Sequence, residues 1–413
     1  MISSEPVWAQ PAWREADNKW KSSLHSMCTY LAMFPPSLPH YFIKQFTQPG
    51  DVVLDPFSGR GTAPLEACLN GRVGVGNDLN PLAWVLTGAK TNIPSYNRII
   101  SRLFDLEMKY IPESTGNVDG NIKMLYDEEI TLPMLVYLKK NLKVQNKVDR
   151  FIMGVLLGLM HGKWRKDGTS MYLSIAMPNT FSMSPNYVKN FIEEHDLKKL
   201  KQDVFKLLRN RIEVIYPELL SHTEGKTFKY DALSLNRRLD EEFADLIITS
   251  PPYLKLIQYG KYNWIRLWML GKDSRSVDEE LKTKSAYELS KKIKLSDDLK
   301  KDEYLAFMKN LILGWERILK KNSLAVLVIG DVAEYKGKYI KLGEDVWNYV
   351  KGDTSLKLEA LIEDKIEGND KVTKIWGGSK KGNATKVERI LVLSKGKPRS
   401  ANYTTGFDKM FCY

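Results

Sequence analysis

Two short stretches of this 413-residue chain combine residue types that could do chemistry together. The first is Asp55-Pro56-Phe57-Ser58-Gly59-Arg60-Gly61-Thr62, in which two glycines let backbone approach a ligand more closely than a Cβ would allow. The second is Ser250-Pro251-Pro252-Tyr253, which follows an apolar run. Its prolines have fixed φ and no N–H, so they leave carbonyl acceptors in a rigid turn. Acceptors of that kind suit a conjugated amine, such as the exocyclic amine of a nucleobase, whose lone pair is delocalised into the ring. The Ser250 hydroxyl and the Pro251 carbonyl could each take one amino hydrogen and direct the lone pair at an electrophile. Tyr253 could then stack on a base withdrawn from its duplex. No covalent enzyme intermediate is needed, because alignment and electrostatics would supply the rate.

The glycine stretch lacks the lysine of a phosphate-gripping GxxxxGK[ST] loop and the third glycine of a dinucleotide fingerprint. It suits a ligand without pyrophosphate, with an adenosine and an amino-acid tail lying across the top of a sheet. Asp78 falls at the spacing expected for an acid that accepts from ribose hydroxyls, and Asp231 could reach an adenine amino group. Each feature also has a plain alternative. A glycine pair can be a tight turn, Pro251-Pro252 a structural corner closed by a core tyrosine, and Asp231 a solvated turn residue.

The elements that must carry these residues alternate between strand and helix. Asp51–Asp55 reads as a strand, a helix follows from Thr62 as N-cap to Asn70-Gly71, and Arg72–Gly76 reads as a second strand ending at Asn77-Asp78. Residues 97–223 read as mainly helical, with patterns over Arg150–Leu159 and Leu197–Val214 around a polar stretch at Met177–Tyr187. Strand patterns resume at Lys226–Asp231, Ala244–Thr249, Ser323–Ile329 and Val387–Leu393, with a helix over Tyr304–Leu319 and a charged surface excursion over Lys272–Lys301. The implied layout is an N-terminal extension (1–27), a first α/β part with the glycine loop (28–96), a helical insertion (97–223), a second α/β part with the proline loop (224–400) and a tail (401–413).

Composition fits a folded globular chain, with 43% hydrophobic and 27% charged residues. A net charge of +12 favours a polyanionic partner or serves solubility. Three cysteines without a CxxC or Cys/His cluster support neither a disulfide framework nor a zinc site, so reduced thiols and no metal requirement are expected. The first residues lack the basic start and apolar run of a secretory signal, and no stretch approaches a membrane span, so the expected location is cytoplasmic and away from membranes.

Together these residues resemble the DNA amino-methyltransferases, especially the cytosine-N4 branch. Asp55 to Thr62 is similar to that family's cofactor loop and Thr249-Ser250-Pro251-Pro252-Tyr253 to its catalytic TSPPY. Phe34-Pro35-Pro36-Ser37-Leu38-Pro39 resembles the segment that packs beside the cofactor, while Ile329-Gly330-Asp331 and Glu388–Leu393 look like later core strands. The resemblance covers about residues 28–95 and 225–396. It implies a Rossmann-like class I methyltransferase fold: α/β, with a seven-stranded mostly parallel sheet and an inserted helical domain. It also implies S-adenosyl-L-methionine as cofactor, held by Phe34, Asp55, Pro56, Phe57, Gly59, Gly61, Thr62, Asp78 and Asp231. Catalysis falls to Ser250, Pro251, Pro252 and Tyr253, on a flipped base of DNA. Ser250 favours cytosine N4, since adenine-N6 members more often have Asp or Asn there. Many cytosine-N4 members carry the two loops in the opposite order. A cognate restriction endonuclease is a partner if the enzyme serves a restriction system, and a solitary host or phage enzyme has none.

By position, the helical insertion is the candidate for target recognition. Lys163, Trp164 and Arg165 could contact phosphates, Asn179, Asn186 and Tyr187 could approach base edges, and Tyr259, Lys261, Tyr262 and Trp264 form a second candidate surface, with core packing preferred for Trp264. Lys380 and Lys381 sit in a basic, glycine-rich stretch that could close on nucleic acid. Rival readings are adenine-N6 methylation, guanine-N2 methylation of tRNA, and a non-catalytic nucleic-acid-binding scaffold. Guanine-N2 enzymes usually carry Asp-Pro-Pro-Tyr and an added RNA-binding domain. Cytosine-C5 chemistry would need a Pro-Cys nucleophile, which is absent.

Overall fold

The computed structural model describes residue 13 and residues 22–30, 34–177, 183–216, 222–252, 259–284, 297–333, 339–365 and 387–398. The described chain runs α1 (Ser37–Phe46), β1 (Val52–Asp55), α2 (Thr62–Leu69), β2 (Val73–Asn77) and α3 (Pro81–Thr91). Six helices follow: α4 (Tyr96–Met108), α5 (Gly120–Lys123), α6 (Thr131–Asn141), α7 (Lys147–Leu159), α8 (Pro185–Glu194) and α9 (Val204–Ile215). The α/β pattern returns with β3 (Lys226–Phe228), α10 (Leu235–Arg238) and β4 (Ala244–Thr249), then α11 (Tyr259–Tyr262), α12 (Trp264–Met269), α13 (Ser274–Lys284) and α14 (Asp297–Ile318). Last come β5 (Leu319–Gly330), the small ladder β6 (Val332–Ala333) with β7 (Tyr339–Ile340), α15 (Leu342–Val350), β8 (Lys357–Lys365) and β9 (Val387–Lys395).

Seven strands form one sheet in the order β3-β2-β1-β4-β5-β9-β8. Every neighbouring pair from β3 to β5 is parallel, and β9 runs antiparallel to both β5 and β8. Six strands therefore point one way and β9 the other. This is the expected Rossmann-like methyltransferase sheet. Side chains alternate across it because successive residues of a strand point to opposite faces. Val53, Leu246, Ile248, Leu324, Val326 and Val328 pack with α1 and α2, whereas Leu54, Ile247, Ala325, Leu327 and Ile329 pack with α14 and α15. With both faces covered, β4 is buried along its whole length and reads as an unbroken apolar run.

Helices α4, α6, α7 and α9 bury their apolar sides in one cluster with α3 and α12, through residues such as Leu82, Leu86, Leu103, Phe151, Leu208 and Leu267. Buried Arg266 of α12 reinforces this junction, donating to the Leu157 carbonyl at 3.0 Å, to Asn263 Oδ1 at 3.0 Å and to Thr29 Oγ1 at 3.2 Å. The N-cap of α2 is Gly61 rather than Thr62, because the chain enters the helix at φ +79°, a left-handed conformation that a β-branched residue resists. Strand β3 stops at Phe228, short of the expected Asp231. Tyr230 N there turns to Asn77 Oδ1 at 2.9 Å instead of continuing a ladder.

Candidate active site

The crevice that matters lies where β1 and β4 part company. From β1 the chain moves outward to β2 and β3, and from β4 it moves the other way to β5, so the loops after β1 and β4 open at a topological switch point, where α/β sheets take ligands. The loop after β1 is the glycine stretch and the loop after β4 is Ser250-Pro251-Pro252. They are joined directly: Thr249 Oγ1 donates to Asp55 Oδ1 at 2.6 Å, and the same oxygen accepts from Phe57 N at 3.1 Å.

The glycine loop is fixed from several sides. Gly61 N donates to the Ser58 carbonyl at 2.7 Å, Ser58 N to the Asn77 carbonyl at 2.9 Å, and the Ser58 hydroxyl lies 3.0 Å from Thr87 Oγ1. Lys90 Nζ, fully buried on α3, donates to the Arg60 carbonyl at 2.8 Å. Arg60 in turn donates from Nη1 to the His25 carbonyl at 3.0 Å, tying the loop to the N-terminal segment. Asn77 holds the ends of β1 and β3 together through Nδ2, which donates to the carbonyls of Pro56 and Tyr230, each at 3.1 Å.

Asp78 stands at the end of β2. Its Oδ2 accepts from Gly59 N and its Oδ1 from Asn80 N, both at 2.9 Å. Burial raises Asp78 to about 6 and Asp55 to about 7, the latter lifted further by Asp78's own charge. Among the described residues, no lysine or arginine is a partner that offsets either charge. Buried Asp55 and half-buried Asp78, with no cation partner among the described residues and beside a backbone loop open to close approach, fit a ligand that brings positive charge and hydroxyl donors. Asp231 caps the turn Ala232–Ser234, its Oδ1 accepting from Leu233 N at 3.1 Å.

Two residues that local sequence did not single out complete the cleft. Tyr30 hydroxyl accepts from Asn80 Nδ2 at 2.9 Å, and its ring stacks on Tyr259 with centroids 5.6 Å apart and planes 23° from parallel. An Asn-Pro pair is a helix-start signal that would have pointed to Asn80, whose Oδ1 accepts from Leu82 N at 3.0 Å with Pro81 in the first turn. Tyr30 carried no such signal.

The remaining candidates are dispersed. Phe34 is buried beside α1, and Phe57 is half-buried against Phe307, with centroids 6.4 Å apart. Pro251 is buried and Pro252 half-buried, while Tyr253, Asn179, Lys380 and Lys381 lie outside the described residues. Lys163 and Arg165 are exposed at a turn, and half-buried Trp164 donates from Nε1 to the Ser174 carbonyl at 3.0 Å. Trp264 is a core residue whose Nε1 donates to the Met183 carbonyl at 2.8 Å. Lys261 and Asn186 share a cleft of about 480 Å³ with Asn121, Trp264, Arg275 and Asp278. Among the described residues there is no group of three or more His, Cys, Asp or Glu able to hold a metal, and no helix long and apolar enough to cross a membrane.

Residues 3–83, which include the glycine loop and Asp78, match the DNA methylase family of N6/N4 enzymes. The Type II methyltransferase M.BsoBI of Geobacillus stearothermophilus is 23% identical over 322 residues, covering 73% of this chain and 63% of that protein. M.MvaI of Kocuria varians, also a Type II methyltransferase, is 22% identical over 293 residues, covering 63% of this chain and 60% of its own. The chain thus spans about 60% of the length of these relatives. A shorter likeness, 28% identity over 83 residues, covers 20% of this chain and 16% of the Type II methyltransferase M.MjaII of Methanocaldococcus jannaschii. Strand order, the paired loops at the switch point and these matches together make the chain similar to the DNA amino-methyltransferases.

Proposed function

We propose that this protein transfers a methyl group from S-adenosylmethionine to the exocyclic N4 amine of cytosine in DNA. The observation that carries the reading is the Thr249–Asp55 hydrogen bond of 2.6 Å, which fastens the proline loop to the cofactor loop across the β1–β4 crevice. When bound, S-adenosylmethionine supplies an electrophilic sulfonium methyl. Asp78 accepts from ribose hydroxyls, the loop at Gly59 and Gly61 passes under the ligand, and the charges of Asp55 and Asp78 offset its positive charge. Ser250 Oγ and the Pro251 carbonyl accept the two hydrogens of the target amine and hold its lone pair toward the methyl. Tyr253 is assigned to stack on the flipped base. The helical segment 97–223 and the cleft at Asn186 and Lys261 are the surfaces assigned to DNA.

Cytosine is preferred to adenine because adenine-N6 enzymes more often carry Asp or Asn at the position of Ser250. The purified chain is incubated with S-adenosylmethionine and genomic DNA, and the digested nucleosides are analysed by mass spectrometry. N4-methylcytosine is expected; N6-methyladenine without N4-methylcytosine overturns the choice of base, and no methylated nucleoside overturns the reaction. Ser250→Ala should lower kcat at least tenfold, on the order expected for one lost transition-state contact, with cofactor Kd unchanged. Equal losses in both would refute the role given to Ser250.

A further inference from the structure

We propose that the Tyr30–Tyr259 stack is a positioning clasp that couples cofactor occupancy to DNA affinity, by tying the acid at the end of β2 to the wall of the cleft formed by α11 and α12. The inference rests on the function proposed above and adds two residues to it. A continuous line of contacts carries it. Asp78 Oδ1 accepts from Asn80 N at 2.9 Å, Asn80 Nδ2 donates to Tyr30 hydroxyl at 2.9 Å, and the Tyr30 ring lies on Tyr259 at 5.6 Å. The Tyr30 ring also rests on the glycine loop, since a Cβ built at Gly59 would sit 3.4 Å from its Cε1. A ligand on Gly59 and Asp78 therefore acts on Tyr30 through both the loop and the acid.

Beyond Tyr259 the path is equally definite. Tyr259 opens α11, and its carbonyl accepts from Asn263 Nδ2 at 2.9 Å. Asp278 of α13 grips the same turn, accepting from Gly260 N at 2.8 Å and Lys261 N at 3.0 Å. Lys261, Trp264, Arg275 and Asp278 then line the 480 Å³ cleft together with Asn121 and Asn186. Beside the carboxylates of Asp278 and Glu279, that cleft offers a lysine, an arginine and two asparagines, residue types that contact phosphates and base edges. Burial, and secondarily the Asp78 charge, raises both phenols above their ordinary range. Coupling must act in both directions, so whatever cofactor does for DNA, DNA does for cofactor. An aromatic stack is worth roughly two- to tenfold in an equilibrium, which sets the scale.

The test measures the Kd of a methylatable DNA duplex with and without saturating S-adenosylhomocysteine, a probe that cannot transfer a methyl. The wild-type protein should bind DNA roughly three- to tenfold more tightly with the probe, within the range one aromatic stack can supply. Tyr259→Phe keeps the ring and should keep this ratio; Tyr259→Leu should bring it to within about twofold of unity. Tyr259→Met fills similar volume without a ring and gives the same reading if the leucine variant folds poorly, and Tyr30→Phe, which loses only the Asn80 bond, should give an intermediate ratio. A wild-type ratio of one, or a leucine or methionine variant that keeps the wild-type ratio, overturns the clasp alone. Wild-type protein that shows no calorimetric binding of S-adenosylhomocysteine at millimolar concentration overturns the reading of the site and the clasp with it.

Discussion

At the scale of single side chains, the electrostatics of Asp55 and Asp78 set how the site should respond to pH. Burial raises their carboxyls to about 7 and about 6, so both hold protons more tightly in the folded chain than when unfolded. Their contribution to folding is therefore fully present below the ordinary carboxylate pKa, near 4, and is lost as pH rises through about 6 to 7. A cationic cofactor favours the opposite, ionised form. Binding should release protons, and affinity should fall as pH drops through that same window. Calorimetry at pH 6.5 in buffers of different ionisation enthalpy should record proton release on adding S-adenosylmethionine, less with S-adenosylhomocysteine, which lacks the sulfonium charge, and almost none at pH 8.5. Absence of release at pH 6.5 would remove these acids from the cofactor's environment. Asp55, Asp78 and Ser250 could be read from sequence because each sits at the end of a recognisable strand. Tyr30 and Tyr259 are 229 positions apart, and only the closed fold brings their rings to 5.6 Å.

At the scale of elements, the turn from β1 into α2 depends on one glycine for two separable reasons. Gly61 has φ +79°, and a Cβ there would lie 2.9 Å from both Cα and Oγ1 of Thr87. Gly50 shares the left-handed backbone, at φ +91°, yet nothing lies within 4 Å of its Cβ position. Alanine at Gly50 should thus cost only the backbone term, on the order of 1–2 kcal/mol. Gly61→Ala should cost clearly more by urea denaturation and also weaken cofactor binding, since Thr87 belongs to the helix that steadies the loop. Equal destabilisation by the two substitutions would show that the Thr87 contact yields freely. Element boundaries were legible where burial is complete, as in β4, whose Ala244–Thr249 span follows from an apolar run between polar ends. Strand β5 begins at Leu319, ahead of the expected Ser323, because Lys320, Lys321 and Asn322 extend the strand past its buried part with their side chains half-buried or exposed. Strand β8 escaped notice for a related reason. As an edge strand it mixes Lys357, Glu359, Glu363, Asp364 and Lys365 with its apolar residues, and only its pairing with β9 makes it a strand.

At the scale of the whole molecule, the helical region 97–223 shares its core with α2 and α3, the helices that flank the sheet. Leu65 of α2 and Leu82, Val85 and Leu86 of α3 share one apolar cluster with Leu103, Leu135, Phe151, Val155 and Leu208 from the helical region and with Ile265 and Leu267 of α12. An apolar face shared this way leaves neither part a surface it could expose at little cost. Unfolding should therefore follow one transition by calorimetry, with far- and near-ultraviolet dichroism coinciding. Arg266 tests the junction directly, because its guanidinium joins α12 to the Leu157 carbonyl of α7 and to Thr29 ahead of α1. Arg266→Met keeps much of the aliphatic volume but strands the buried Leu157 carbonyl and Asn263 Oδ1, at a cost of about 3 kcal/mol. The single transition should shift to lower temperature without splitting. Two resolved transitions in the wild type would show that the helical region folds by itself, and a split only in Arg266→Met would show that this one guanidinium, rather than the apolar cluster, makes the molecule cooperative.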